Sequence, residues 1–175
     1  VTERKTGARI LSSSHLAEGD WAGLSELEFG LIVAGHAFDR WIVRCMAAAG
    51  VPDLAVTDVL VLHHVHHRDR GKKLADICFT LNYEDSHVVS YALRKLANLG
   101  LVAGEKIGKE VFWSTTPLGG ETVRRYREVR DRCLLASATE TLGAGESRTG
   151  LAELAGMLRA LSGLYDQAAR AAASL

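Results

Sequence analysis

Residues 72–117, KKLADICFTLNYEDSHVVSYALRKLANLGLVAGEKIGKEVFWSTTP, change their hydrophobic period from helical to strand-like within one short stretch. Leu74, Ala75, Ile77 and Cys78 recur at the spacing of one apolar helix stripe, which predicts a two-turn helix ending near Thr80 and Leu81. Asn82 is predicted to cap the next helix, with Glu84 and Asp85 complementing the positive end of its dipole, so that the helix starts near Tyr83. Val88, Val89, Ala92, Leu93, Leu96 and Leu99 then fall on one side at 3.6 residues per turn, and Gly100 ends the helix. The opposite face carries Tyr83, His87, Ser90, Tyr91, Arg94 and Asn98, hydrogen-bonding side chains rather than the paired Glu and Lys of a solvated surface.

From Leu101 to Lys106 and from Glu110 to Thr116 the chain is rich in β-branched and aromatic residues, with Ile107, Gly108 and Lys109 between as a turn. Helix, turn, helix and β-hairpin in this order make a winged helix-turn-helix, and the expected fold class is mainly α with a small antiparallel hairpin. Such a unit points to duplex DNA. His87, Ser90, Tyr91 and Arg94 are the candidates for base edges, and Ser86, Lys95, Lys106 and Lys109 for phosphates or the minor groove. Lysines at a hairpin tip equally serve to discourage edge-to-edge aggregation.

At this point the chain resembles the MarR family of bacterial regulators. The resemblance rests on Leu74-Ala75-Asp76, on Val89-Ser90 with Leu93, Arg94, Lys95 and Leu96, on Gly100-Leu101-Val102 entering the wing, and on Thr116-Pro117-Leu118-Gly119 leaving it. In order of elements it covers about residues 25 to 173. It implies a homodimer made from N- and C-terminal helices and transcription regulation, and some relatives in the family sense metal ions; a small-molecule effector is the other possibility. The family commonly has a basic residue early in the recognition helix and Asp-x-Arg in the wing. Here Glu84-Asp85 and Glu105-Lys106-Ile107-Gly108-Lys109 stand instead, which implies weaker phosphate attraction.

With 175 residues and 47% hydrophobic content there is ample material for one core. No apolar run approaches the ~20 residues that span a bilayer, and VTERKTGARILSSSH lacks the apolar core of a signal peptide, so the expectation is a cytoplasmic protein without membrane contact. Cys45, Cys78 and Cys133 are odd in number and lie in helical patterns, which suits small core residues better than disulfides or redox sensors. Lys and Arg number 21 and Asp and Glu 21, and between Thr57 and Pro117 eight cations face seven anions. DNA affinity must then depend on where charge is placed, and on a dimer doubling the phosphate contacts.

The organisation expected is an N-terminal extension at 1–23, a dimerisation or scaffold helix at 24–56, the winged helix domain at 57–117 and C-terminal dimerisation helices at 118–175. Leu27, Leu31, Ala34, Phe38, Trp41 and Cys45 alternate spacings of four and three in a long amphipathic helix ended by Gly50 and Pro52. Pro117 suits a helix start, and a charged helix is predicted from Leu118 to about Leu142, with Val123, Tyr126 and Val129 or Arg130 inward. Gly143 to Gly150 reads as a loop. Leu151, Leu154, Leu158, Leu161, Tyr165, Ala168 and Ala172 follow at heptad spacing, a seam that takes either a partner helix or packing within the chain.

Thr57 is predicted to cap a helix that ends in His63, His64, His66 and His67. His63 with His66 or His67 shares one face and is a candidate pair of metal ligands, needing further donors such as His15, His36 or Asp39; helix-end histidines facing the dipole and solvent are the plainer account. Trp21, Phe29, His36, Phe38 and Trp41 are candidates for lining an effector cleft, or simply for core. There is no G-x-S-x-G, no phosphate-cradling Gly-rich loop before a helix and no Cys with a recognisable base, so no catalytic residue and no cofactor is expected. The competing class is a winged helix that serves as a protein-interaction scaffold without DNA, which the neutral charge favours, or a metal-responsive regulator using the histidines.

Overall fold

A computed structural model describes residues 21–135, 137–138 and 146–175, the side chains of 69 and 146–149 excepted. The elements are α1 (Ala22–Ala48), α2 (Val56–His66) with a 3-10 turn at His67–Asp69, β1 (Lys72–Lys73), α3 (Leu74–Leu81), α4 (Ser86–Asn98), β2 (Val102–Ile107), β3 (Glu110–Thr115), α5 (Pro117–Arg130) with a π turn at Asp131–Leu135, and α6 (Glu146–Ala172). The expected class, mainly α with a small antiparallel wing between long helices, is what the chain adopts. It divides into two compact units between Arg127 and Glu128.

In the first unit α2 is the central helix. Val59, Val61, Leu62 and Val65 are buried around it, Val89, Ala92, Leu93 and Leu96 meet it from α4, Ile77 from α3, and Ile42, Cys45 and Met46 from the end of α1. The buried stripe of α4 is the one that its sequence spacing predicts, although Val88 and Leu99 at its margins remain exposed. The last turns of α1 join this core, and Ala22 and Ser25 are buried at the start of the helix. Leu27, Ile32, Val33 and Phe38 are exposed along the rest of it.

The helix boundaries correct two expected caps. Asn82 ends α3 in the left-handed conformation at φ +56 and does not begin α4; the N-cap of α4 is Asp85, whose carboxylate accepts from the backbone N–H of His87 at 2.8 Å. The helix therefore starts at Ser86, three residues later than expected, and Tyr83 lies in the turn. Both Asn and Asp suit either job, since a short polar side chain tolerates left-handed backbone and also caps. Thr57 likewise is inside α2. Asp58 closes that helix start by accepting from the Ala55 N–H at 2.8 Å, and the Thr57 hydroxyl pairs with the Tyr83 hydroxyl at 2.9 Å.

The sheet has three strands in the order β1-β3-β2, one more than expected. Lys72 and Lys73 pair with Trp113 and Phe112, and Ile107 pairs with Glu110, so the wing turn is Gly108-Lys109 alone. Gly108 has φ +64 and Lys109 does not, the pattern of a turn with glycine at its first central position. Thr116 joins the wing to α5: its hydroxyl donates to Gly100 O at 2.6 Å and accepts from Gly119 N at 3.0 Å, with Pro117 in the first helical position. Gly119 packs so closely on Leu101 that a Cβ would overlap the Leu101 carbonyl.

Three further expectations fall on the C-terminal side. The charged helix is α-helical to Arg130, continues as π-helix over Asp131–Leu135 and is α-helical again at residues 137–138, while residues 136 and 139–145 lie outside the described ones. The loop expected through Gly150 is helix from Glu146 onward, because Glu, Ser and Arg tolerate helix and only Gly150 opposes it. In the second unit α6 leaves Leu151, Leu154, Met157, Leu158, Leu164 and Tyr165 exposed.

Candidate nucleic-acid interface

Asp85 fixes where α4 begins, and the buried stripe fixes how it is turned. Ser86, His87, Tyr91, Arg94 and Asn98 consequently stand exposed on its outer face, with Ser90 half-buried between them. Tyr91 is 67% exposed, high for an aromatic on a helix whose opposite side is core. The Arg94 Nε donates to Ser90 O at 3.3 Å, which holds the guanidinium along the helix surface. Tyr83, expected on this face, is instead spent on Thr57.

The two acids expected to open the helix stand before it. Asp85 is engaged as the cap and Glu84 is exposed in the turn. The local repulsion toward phosphate is therefore partly absorbed by the helix's own N–H groups.

Lys95 is differently placed from the other candidate cations. Its Nζ lies 2.7 Å from Asp58 Oδ2 and donates to Asp53 O at 2.7 Å, so it ties α4 to the start of α2. Lys106 and Lys109 are exposed on the wing, one at the end of β2 and one in the turn, and Ile107 between them is 54% exposed. Lys73 forms an ion pair with Glu110 at 2.6 Å and lies 5.3 Å from the Phe112 ring centre, fastening the wing to β1. That contact was hidden in the sequence, because two lysines before a helix carry no strand pattern.

Clefts flank the outer face of α4. One of about 590 Å3 is lined by Thr57, Asp85, His87, Tyr91 and Arg94. A larger one of about 770 Å3 is lined by Pro52, Tyr91, Arg94, Asn98, Leu118 and Arg125 among others. Trp21 and Phe38, candidates for an effector cleft, are 75% and 53% exposed on α1 and its start, away from these linings.

The histidine candidates separate. His63 is mostly buried with its ring edge-on to Tyr126 at 4.4 Å, and its Nε2 is buried without a hydrogen-bond partner. Burial, then the neighbouring His66, hold its pKa below the ordinary value. His66 Nδ1 is 3.2 Å from Thr115 Oγ1, and His67 is exposed in the following turn. Among the described residues no three His, Cys, Asp or Glu side chains converge as metal ligands would; His15 lies outside them. Cys45 and Cys78 are buried and Cys133 is exposed.

Residues 54–119 match the family model of the winged helix DNA-binding domain. No curated protein matches the chain. Among solved structures, a MarR transcriptional regulator from Methanosarcina mazei Go1 superposes with a TM-score of 0.65 at 14% identity, covering 79% of this chain and 96% of that one. AbfR of Staphylococcus epidermidis gives 0.63 at 18% identity, over 80% and 93%. Reduced AbfR bound to DNA gives 0.62 at 19% identity, over 80% and 94%. At these identities the likeness is one of fold, and it extends well beyond the winged helix domain itself.

Proposed function

We propose that this chain, which contains a winged helix DNA-binding domain and has the fold of MarR regulators, is a transcriptional regulator of MarR type that binds a near-palindromic operator as a homodimer. The observation that carries the reading is the exposed hydrogen-bonding face of α4 beside a wing whose exposed cations are Lys106 and Lys109. His87, Ser90, Tyr91 and Arg94 meet base edges in the major groove, and Ser86, Lys106 and Lys109 meet phosphates or the minor groove. Lys95 contributes by holding α4 in place.

Two exposed apolar rows support the homodimer, that of α1 with Leu27, Ala34 and Phe38 on one face and that of α6 with its heptad of Leu151, Leu154, Leu158 and Tyr165. Rows of this kind are covered in a soluble protein, and a second copy supplies the matching surface. A two-fold dimer presents two reading helices to inverted half-sites. An effector-responsive regulator is supported by the cleft of about 770 Å3, a size that suits a small molecule, since its lining shares Tyr91 and Arg94 with the reading face. Among the described residues no helix is long and apolar enough to cross a membrane, and a regulator that binds DNA works in the cytoplasm. The reading includes no catalysis, cofactor or resident metal.

The neutral overall charge favours one other reading, a winged helix that joins proteins without touching DNA. Sedimentation of the chain with labelled duplex pools at low salt separates the two. A complex of two chains per duplex supports the regulator, and a dimer that leaves DNA free supports the scaffold.

A further inference from the structure

A cleft of about 550 Å3 lies at the end of α2, bounded by the turn after it, by α3 and by β3, and its wall is cationic. Arg68, Arg70 and Lys72 bring permanent charges and His64 and His67 bring imidazoles; Asp76 is the single carboxylate in the described lining. None of these side chains takes part in the reading face of α4.

The turn that carries the two arginines is built around a buried ammonium. Lys72 is only 5% exposed, and its Nζ donates to His67 O at 2.6 Å and to Arg70 O at 3.0 Å, so one charge clamps both sides of the turn. His67 at φ -66, ψ 126 and Arg68 at φ +64, ψ 20 are the two central residues of a type II turn, which fixes the backbone between the two arginines. Pairing of Lys72 with Trp113 fixes the far end. The His64 imidazole reports the resulting field: burial first, then Lys72 and His67, keep its pKa below the ordinary value against the opposing pull of Asp76. Like charges gathered in a cleft repel one another, and an anion reverses the sign of every one of those interactions.

We infer that this cleft binds a phosphate group, its oxygens taken by Arg68 and Arg70 with His64 and His67 beside them, and that Phe112 offers an apolar wall to whatever carries the phosphate. Phosphate fits better than carboxylate because the guanidinium forks and imidazoles offer more donors than two carboxylate oxygens accept. The carrier is either a free phosphorylated molecule or the backbone of a bound duplex. Binding of the free form is independent of the regulator reading.

The test is calorimetric titration of the full chain with inorganic pyrophosphate, on the parent, R68Q, R70Q, the R68Q/R70Q pair, R70K and K109Q, with thermal unfolding of each as a check on the fold. Saturable binding that weakens about tenfold or more in the pair, is retained largely in R70K and is unchanged in K109Q supports a site for free phosphate compounds. Without pyrophosphate binding, a log–log salt slope for duplex binding reduced by about 1 to 2 in the pair assigns the cleft to a DNA phosphate instead. The inference is overturned by pyrophosphate binding that the substitutions leave unchanged. It is equally overturned when pyrophosphate does not bind and duplex binding by the pair matches the parent.

Discussion

Lys95 on α4 and Asp58 on α2 form an ion pair at 2.7 Å in which the carboxylate side chain is 4% exposed and the ammonium side chain 31%. Asp58 also accepts from Ala55 N, and Lys95 also donates to Asp53 O, so the pair joins α4, the central helix and the turn before it. Lys95→Met leaves a nearly buried carboxylate without its counter-charge and is predicted to cost about 2 to 3 kcal/mol in chemical denaturation, below the value for a fully buried pair because the lysine end is partly solvated. The salt dependence of DNA binding is expected to stay at the parent slope. A lower slope with unchanged stability would place Lys95 on a phosphate and not on Asp58.

Asp85 and Asn82 are predicted to differ in what replaces them. Asp85→Ala removes the cap on His87 N and should cost about 1 kcal/mol, whereas Asp85→Asn should be nearly neutral. Asn82 sits at φ +56, so Asn82→Gly is expected to be tolerated and Asn82→Val to cost about 1 to 2 kcal/mol. Urea midpoints measure all four. Had Asn82 been the cap, Asn82→Val would move the start of α4 and Asp85→Ala would be silent.

Gly119→Ala is predicted to be among the most damaging single changes, about 3 kcal/mol, because the added methyl group meets the Leu101 carbonyl and backbone must move. Gly120→Ala, one residue on, meets His66 Cε1 at 3.7 Å, an ordinary contact, and should cost little. Comparable midpoints for the two variants would contradict the packing of α5 on Leu101.

His63 makes stability depend on pH in a definite direction. Its folded-state pKa lies below the ordinary value, chiefly by burial, so as pH falls through about 6.5 the unfolded chain takes up a proton that the folded chain resists. This contribution is full above about pH 6.5 and declines as pH drops toward the lower folded value. His63→Phe keeps a ring against Tyr126 and should flatten the decline between neutral and mildly acidic pH, measured by urea midpoints across that range. An unchanged decline would assign it to other groups.

The arrangement of elements was legible because α4 announces itself twice, by an apolar stripe of Val89, Ala92, Leu93 and Leu96 and by the glycine that ends it. Element boundaries were less so. Asn82 and Asp85 have overlapping chemistry, and only the chain path decides which one turns and which one caps. Lys72 and Lys73 form a strand solely because β3 reaches them, a long-range fact with no local signature. For the site, periodicity placed His87, Tyr91 and Arg94 outward with Tyr83 among them, and Lys95 was expected on phosphates, because a sequence carries no information on partners such as Thr57 and Asp58. The histidine run offered a candidate ligand pair beside the plainer account of solvated helix-end rings, and spacing in sequence could not tell what each ring meets, which is Tyr126 for His63 and Thr115 for His66.

Arg94→Ala and Lys109→Ala are predicted to separate reading from attraction. Loss of a bidentate base contact should cost about 1 to 3 kcal/mol on the selected sequence and little on random duplex, while loss of a wing ammonium should weaken both alike. Equal losses for Arg94→Ala on the two duplexes would remove it from the base-reading set.

Whether the face of α4 reads a sequence is decided by selection of bound duplexes from a random pool at low salt, run in parallel with zinc and with chelator. Enrichment of a near-palindrome with half-sites about one helical turn apart, unaltered by zinc or chelator, is the expected result. A pool that stays random through successive rounds contradicts it.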